Sequence, residues 1–320
     1  MKVILTIIFI IMLIPLYLSN ATYSQFPNSH KESSKPDKVA IINFDDGYKS
    51  QFTNAKPILD KYGFKAAFFI VCNFVGKDAK QMSLPNVVDF VGKGIDQMSW
   101  QDLKLLENEG HVIGAHTMNH IDLNTLSTRD LDYEIGKSKQ CLISHGINTT
   151  IFAYPYNNGK DNATVVSTVA KYYEMARSGN EPLMFLHCDK RDEEHDNTDE
   201  TNQADCNVFS ENGTPNPMSK YSIVGWSHDY PRRKYSYDDS QMLQEFIKTV
   251  NSQLQYNKNG KITAIPIVVY HKIDDSKSDY STSVSLFNQE MKYLHDNGFK
   301  VLNISDIAYD QNNKYLYVDN

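Results

Sequence analysis

The sequence has no excess of positive charge. Its 320 residues carry 32 Lys and Arg against 39 Asp and Glu, a net charge of −7, so the basic footprint of a nucleic-acid binder is missing. It has no internal repeat and no second hydrophobic core that would mark a further folded unit. Cysteine is scarce, with four in all. What is present is apolar: hydrophobic residues make up 41% and aromatics 12%. That composition supports a large core, and the length permits one large domain or two ordinary ones.

The N-terminus "MKVILTIIFIIMLIPLYLSNATYS" has one early Lys, an apolar run from Val3 to Leu18, and small residues at Ser19-Asn20-Ala21. This is the pattern of a secretory signal peptide, with an uncleaved membrane anchor as the alternative; Pro15 weakens a long spanning helix. Residues 1–21 are therefore assigned to a signal peptide or anchor and 22–37 to a polar linker. The chain is expected outside the cell or on the outer face of the membrane. In that compartment the cysteines suggest disulfides. Cys188 and Cys206 bracket the acidic stretch "CDKRDEEHDNTDETNQADC", so a Cys188–Cys206 bridge is expected, and Cys72 and Cys141 either pair or stay free. Asn148, Asn162, Asn212 and Asn303 lie in short sequons, weak signs of surface exposure.

From Val39 onward, apolar strands alternate with helical patterns. "VAIINF", "KAAFFIVC", "HVIGAH", "TTIFAYP", "SIVGWS", "TAIPIVVYH" and "KVLNIS" read as strands. "FTNAKPILDKYG", "SWQDLKLLENEG", "STRDLDYEIGKSKQCLISHG", a stretch around Ala163–Tyr172, "YDDSQMLQEFIKTVNSQLQYN" and "LFNQEMKYLHDNG" read as helices. Repeated strand–helix units imply a parallel sheet with helices outside. Seven or eight such units fit one barrel-like α/β domain, with residues 181–220 as a surface insertion.

Polar residues gather where the strands end. Asp45-Asp46 follow the first strand, His116 and His120 the third, and Tyr154-Pro155-Tyr156 the fourth. Trp226, His228 and Asp229 close a later strand, and His271 closes the one after it. An Asp-Asp-Gly sequence is ordinary turn chemistry, and His-x-x-x-His arises by chance in a chain with ten His. In an α/β barrel, however, the carboxyl ends of the strands meet at one rim. On a helical turn the two imidazoles would face one side, and with a carboxylate they make a three-ligand set that leaves a coordination position open.

"FDDG", "HTMNH", "FAYPY", "VGWSHD" and "VVYH" resemble the five successive motifs of the polysaccharide deacetylase family, the NodB-homology carbohydrate esterases, in that family's order. The resemblance spans about residues 38–310, and "FAYPY" is similar to the branch acting on poly-N-acetylglucosamine. It implies a distorted (β/α)7 barrel as a single catalytic domain over residues 38–320. It implies metal binding by Asp46, His116 and His120, with Asp45 as general base, His271 as general acid and the Tyr156 N–H as an oxyanion donor. Tyr154, Pro155 and Trp226 are the expected sugar contacts. The sequence departs from the family in two places. Ala153 stands where many members carry an Arg that holds the base, and Arg177 is the nearest replacement. The late Asp-Trp pair is also absent, and Asp229 is the candidate partner of His271.

The function this implies is de-N-acetylation of a polysaccharide containing N-acetylglucosamine by a secreted, monomeric enzyme. The metal expected is Zn2+, with Co2+, Ni2+ or Mn2+ accommodated by the same ligands. The competing readings are an O-acetyl esterase with the same site, a small-amide hydrolase, and a non-catalytic glycan-binding protein on the same fold. The polymer is left open.

Overall fold

The computed structural model describes residues 37–77, 96–179, 181–186, 219–312 and 315–319. The expectations for the N-terminal segment, nearly all of the linker, Asn212 and a Cys188–Cys206 bridge fall outside those residues.

The first strand, β1 (Val39–Phe44), is buried along its whole length. That is how a strand of a parallel sheet covered on both faces behaves. Beyond it lie β2 (Ala67–Ile70), β3 (Val112–Ala115), β4 (Ile151–Ala153) and β5 (Met175–Arg177). After β6 (Met184–Phe185) come β7 (Trp226–Ser227), β8 (Ala264–Ile265) and β9 (Ile267–Tyr270). The strand order is β5-β4-β3-β2-β1-β9-β7, and every pairing along it is parallel.

The two ends of that row meet. Arg177 of β5 bridges Ile223, three residues before β7, in parallel fashion. The Ser178 N–H donates to the Ile223 carbonyl at 2.7 Å, and the Ile223 N–H to the Ala176 carbonyl at 3.1 Å. Seven strands thus close into a ring, the distorted (β/α)7 barrel that the sequence resemblance implies. The small sheets β10 (Lys272–Ile273) with β11 (Ser281–Thr282) and β13 (Ile307–Asp310) with β14 (Tyr315–Val318) lie off the ring. The strand read at "KVLNIS" is β12 (Lys300–Leu302); it pairs with the N-terminal half of β1 while β2 takes the C-terminal half.

The outer layer is helical: α1 (Lys56–Tyr62), α2 (Trp100–Asn108), α3 (Thr128–Leu131), α4 (Lys137–Ser144), α5 (Ala163–Tyr172), α6 (Tyr230–Tyr235), α7 (Asp239–Asn251) and α8 (Val284–Asp296). The local chemistry explains their starts. Ser99 and Asp102 form a reciprocal capping box on α2, and Asp238 and Gln241 do the same on α7. The helix expected over "STRDLDYEIGKSKQCLISHG" is α3 and α4 joined through a π-turn at Asp132–Gly136.

Side-chain parity separates two cores. On β1, Ala40, Ile42 and Phe44 pack outward under the helices, while Val39 and Ile41 pack inside the ring with Phe69, Ile151 and Ile267. Successive strand residues face opposite ways, so the interior row of β1 continues through Asn43 to Asp45.

One expectation is corrected here, and one that was open is resolved. Residues 183–186, read as the start of a surface insertion, are buried, and β6 pairs antiparallel with β8. Their Leu-Met-Phe-Leu run is apolar enough to join the core. Cys72 and Cys141, whose state was left open, form a disulfide between the end of β2 and α4.

Candidate active site

Asp46, the two histidines and their loops come together at the rim. The Asp46 Oδ1 lies 3.6 Å from the His116 Nε2 and 3.3 Å from the His120 Nε2. All three side chains are buried. The His116 Nδ1 donates to the Ala153 carbonyl at 2.8 Å, which leaves its Nε2 lone pair facing Asp46. Burial holds the His120 pKa down at about 4, against the opposing charge of Asp46, so this imidazole is neutral and able to ligate. Neither Asp46 carboxylate oxygen accepts a hydrogen bond of good geometry among the described residues. A buried carboxylate with two idle oxygens, facing two imidazole nitrogens, fits a divalent cation. The three donor atoms lie within 4.8 Å of one another.

The histidines do not share a helical turn, as their spacing suggested. They lie in a loop in which Thr117 and His120 have φ of 69° and 58°. The His120 N–H donates to the Thr117 Oγ1 at 2.9 Å. The loop is held from outside by Glu134, which accepts from the Met118 N–H at 3.1 Å, the Asn119 N–H at 2.9 Å and the Asn119 Nδ2 at 2.6 Å. On the other side the Cys72 and Asn73 N–H groups donate to the Thr117 and Met118 carbonyls. Asp46, Tyr156 and Asn157 also have positive φ, at 72°, 57° and 57°. Left-handed backbone at non-glycine residues is uncommon and costs energy, and here it concentrates at one rim.

Asp45 sits beside this triad with a different partner. The Arg177 Nη2 donates to both of its carboxylate oxygens, at 2.6 and 2.7 Å. The Arg177 Nη1 donates to the Ser178 carbonyl at 3.1 Å, and the guanidinium lies 5.0 Å from the Phe69 ring centre. Burial pushes the Asp45 pKa up, but the charges of Arg177, His116 and His271 outweigh it and leave the carboxyl below its usual range. Arg177 fits because residue 225 is glycine: a Cβ there would meet the Val269 Cγ2 at 3.1 Å and the Arg177 Cδ at 3.4 Å.

Across the cavity, the His271 Nδ1 is 2.7 Å from the Asp229 Oδ2, and the Ser227 Oγ donates to the Asp229 Oδ1 at 3.0 Å. Burial alone would lower the His271 pKa, but Asp229, with smaller contributions from Asp46 and Asp45, lifts it to about 9. Asp45, His116, His120, Arg177 and His271 all line one cavity of about 240 Å³.

The aromatic candidates separate. Tyr154 lines the cavity, with its hydroxyl donating to the Tyr221 carbonyl at 3.0 Å. Tyr156 is 44% exposed, with its ring 4.6 Å from that of His120. Pro155 is buried and opens the short 3-10 turn that presents Tyr156. Trp226 is corrected: it packs in the outer core, 5.4 Å from the His228 ring, while its neighbours Gly225 and Ser227 line the cavity. Strand alternation turns it away from the site. The Nε2 of His228, the residue after β7, meets the Glu290 Oε1 at 2.6 Å.

Among the cavity residues not singled out in the sequence are Tyr230 and Arg233 on α6, and Tyr280 before β11. Tyr280 lies over His271, with ring centres 5.2 Å apart. Only the cluster "DYPRRKY", directly after a motif, gave any signal of this wall.

The polysaccharide deacetylase family model matches residues 32–175. A putative polysaccharide deacetylase, YxkH of Bacillus subtilis, is 29% identical over 127 residues, which is 39% of this chain and 39% of that protein. A chitin deacetylase of Arthroderma benhamiae is 26% identical over 48% of this chain and 35% of its own length. The aligned stretches thus span well under half the length of these relatives. Among solved structures, a family 4 carbohydrate esterase from Streptomyces lividans in complex with acetate is 13% identical with a TM-score of 0.48, covering 88% of this chain and 98% of that one. The match begins ahead of β1 and runs through the Asp45-Asp46 pair, both histidines and the Tyr154–Tyr156 turn, so the segment carrying this constellation is similar to the polysaccharide deacetylase family.

Proposed function

We propose that this chain is an exported metal-dependent hydrolase that removes N-acetyl groups from a polysaccharide containing N-acetylglucosamine. The observation that carries this reading is the division of labour between two adjacent carboxylates. Asp46 faces two imidazoles with idle oxygens, while Asp45 is held by a guanidinium and opens to the cavity.

Asp46, His116 and His120 would hold the cation, and Zn2+ suits two imidazoles and a carboxylate. Bound there, the ion supplies Lewis acidity to the acyl oxygen and to water. Asp45, ionised and oriented by Arg177, takes a proton from the attacking water as its oxygen bonds to the acetyl carbon. The Tyr156 N–H donates to the developing oxyanion. His271, protonated through its bond to Asp229, gives its proton to the amide nitrogen as the C–N bond breaks. Acetate and a free amine leave. A positioned acid matters more for an amine than for an alcohol leaving group, which favours N-acetyl over O-acetyl substrates. Arg177 and Asp229 act as positioning residues. Tyr156, 44% exposed, offers its ring face to a sugar, whereas Tyr154 is buried in the outer core.

The test is acetate release from acetylated chito-oligosaccharides by the purified chain. Release that is abolished by a chelator, restored by Zn2+ or Co2+, and lost in Asp45→Asn is the expected result. Release that is indifferent to both the chelator and Asp45→Asn would overturn the reading.

A further inference from the structure

Among the described residues lining the cavity, Arg233 is a cation to which the chemistry above gives no contact with the substrate. Arg177 is committed to Asp45, and His271 to Asp229. Arg233, on α6, lines the same cavity with its side chain 29% exposed. Its guanidinium lies 4.4 Å from the Tyr280 ring centre and 5.9 Å from that of Tyr230. The Nη1 donates to the Tyr280 Oη at 3.1 Å. The Nε forms an ion pair with the Asp229 Oδ1 at 3.6 Å, too long for a hydrogen bond, and Asp229 also accepts from Ser227 and bonds His271. Two tyrosines and one hydrogen bond therefore fix the plane of the group, while Nη2 meets no protein acceptor among the described residues. Its neighbours differ: Arg232 is paired with Asp239 at 2.5 Å, and Lys234 lies on the surface against Tyr230 and Tyr235.

We propose that Arg233 is a specificity-determining residue that receives a carboxylate of the substrate. The substrate class is then an acetylated glycan bearing an acidic substituent on, or next to, the N-acetylated sugar. The inference rests on the deacetylase reading. Three arguments support it. A planar guanidinium with its plane fixed and an unanswered edge matches a carboxylate better than a scattered set of hydroxyls. The Arg233 side chain is 29% exposed, so the cavity wall screens its charge less than bulk water would, and a charged acceptor entering there is favoured. The location is also right. Tyr280 touches both the Arg233 guanidinium and the His271 ring, so the guanidinium stands one aromatic ring away from the proton donor for the leaving nitrogen. A carboxylate held there belongs to the reacting sugar or its immediate neighbour.

The experiment compares kcat/KM for acetate release from three oligosaccharides of equal length. One is a neutral chito-oligosaccharide. One has glucuronic acid beside each N-acetylglucosamine, and one carries a lactyl-ether carboxylate on alternate sugars. Wild type is expected to prefer at least one acidic substrate by roughly ten-fold or more, with the preference falling as salt rises. The two acidic arms tell a uronate from a lactyl ether. Arg233→Gln should bring the acidic-to-neutral ratio close to one, and Arg233→Lys should retain part of it. Because the readout is a ratio within one protein, a general loss of activity or stability in a variant does not mimic the effect. Wild type that favours the neutral substrate, or an Arg233→Gln ratio equal to wild type, overturns the inference while leaving the deacetylase reading in place. No acetate from any of the three overturns both.

Discussion

One nitrogen of Arg177 contacts both carboxylate oxygens of Asp45, from a position 132 residues further along the chain. Strand β5 supplies the cation that β4, with Ala153 at its end, does not. The geometry assigns Arg177 to holding Asp45 ionised. Replacing it with Met removes the charge that keeps the Asp45 pKa low and leaves the burial that raises it. The acidic limb of the kcat/KM profile should therefore move to higher pH. Breaking one side of a buried pair should also cost about 3–5 kcal/mol of stability. A profile unchanged from wild type in a folded Arg177→Met protein would remove the assignment.

The His271–Asp229 pair predicts the opposite limb. His271 must carry its proton to act as an acid, so activity should fall as pH rises through about 9. In Asp229→Asn that limb should move down toward the ordinary imidazole value, near 6.5. A bound cation offsets the share contributed by Asp46, so the metal-loaded limb should lie below that of a metal-free titration of His271 followed by NMR. The linkage sign is fixed. The folded state holds this proton more tightly than the unfolded chain, so the stabilisation is fully present below about 6.5. It is lost as pH rises through about 9. Denaturant midpoints of wild type and Asp229→Asn across that window check it.

Glu134 predicts a loss of metal affinity without any contact to metal. It takes three N–H donors from the loop between the two histidines. Glu134→Gln replaces one acceptor oxygen with a donor that faces N–H groups, so the loop loses its fixed shape. Second-layer changes of this kind typically weaken metal binding by about 10–100-fold. Calorimetric titration of the metal-free protein with Zn2+ measures this independently of catalysis.

The Cys72–Cys141 disulfide closes a loop whose ends are 69 residues apart in sequence. In the chain-entropy model such a closure contributes about 4 kcal/mol. Cys141→Ser, or full reduction, should lower the thermal midpoint by several degrees or more. The bridge joins the two sides that brace the His116–His120 loop, so Zn2+ affinity should fall with it. Equal midpoints under oxidising and reducing conditions would refute this.

The sequence shows the site as far as strand ends and short motifs reach. The Asp45-Asp46 pair, the two histidines and His271 each follow an apolar run, so their common rim follows once the runs are parallel. Parity is equally legible, though its use at Trp226 was missed: an odd–even count along "VGWS" turns Gly225 and Ser227 inward and Trp226 outward. The Tyr280–Arg233 wall could not be read in this way. Its two side chains are 47 positions apart, on a short helix and a loop, where no periodicity fixes direction. The burial of residues 183–186 was obscured by the acidic stretch that follows them.

The left-handed residues at the rim carry a final consequence. Asp46, Thr117, His120, Tyr156 and Asn157 hold backbone angles that glycine would adopt at less cost, on the order of 1–3 kcal/mol each. Substituting glycine at 46 or 120 would thus relax the chain while deleting a proposed metal ligand. Selection for thermal robustness alone would erode this rim first, and a more durable variant obtained that way should be a poorer catalyst.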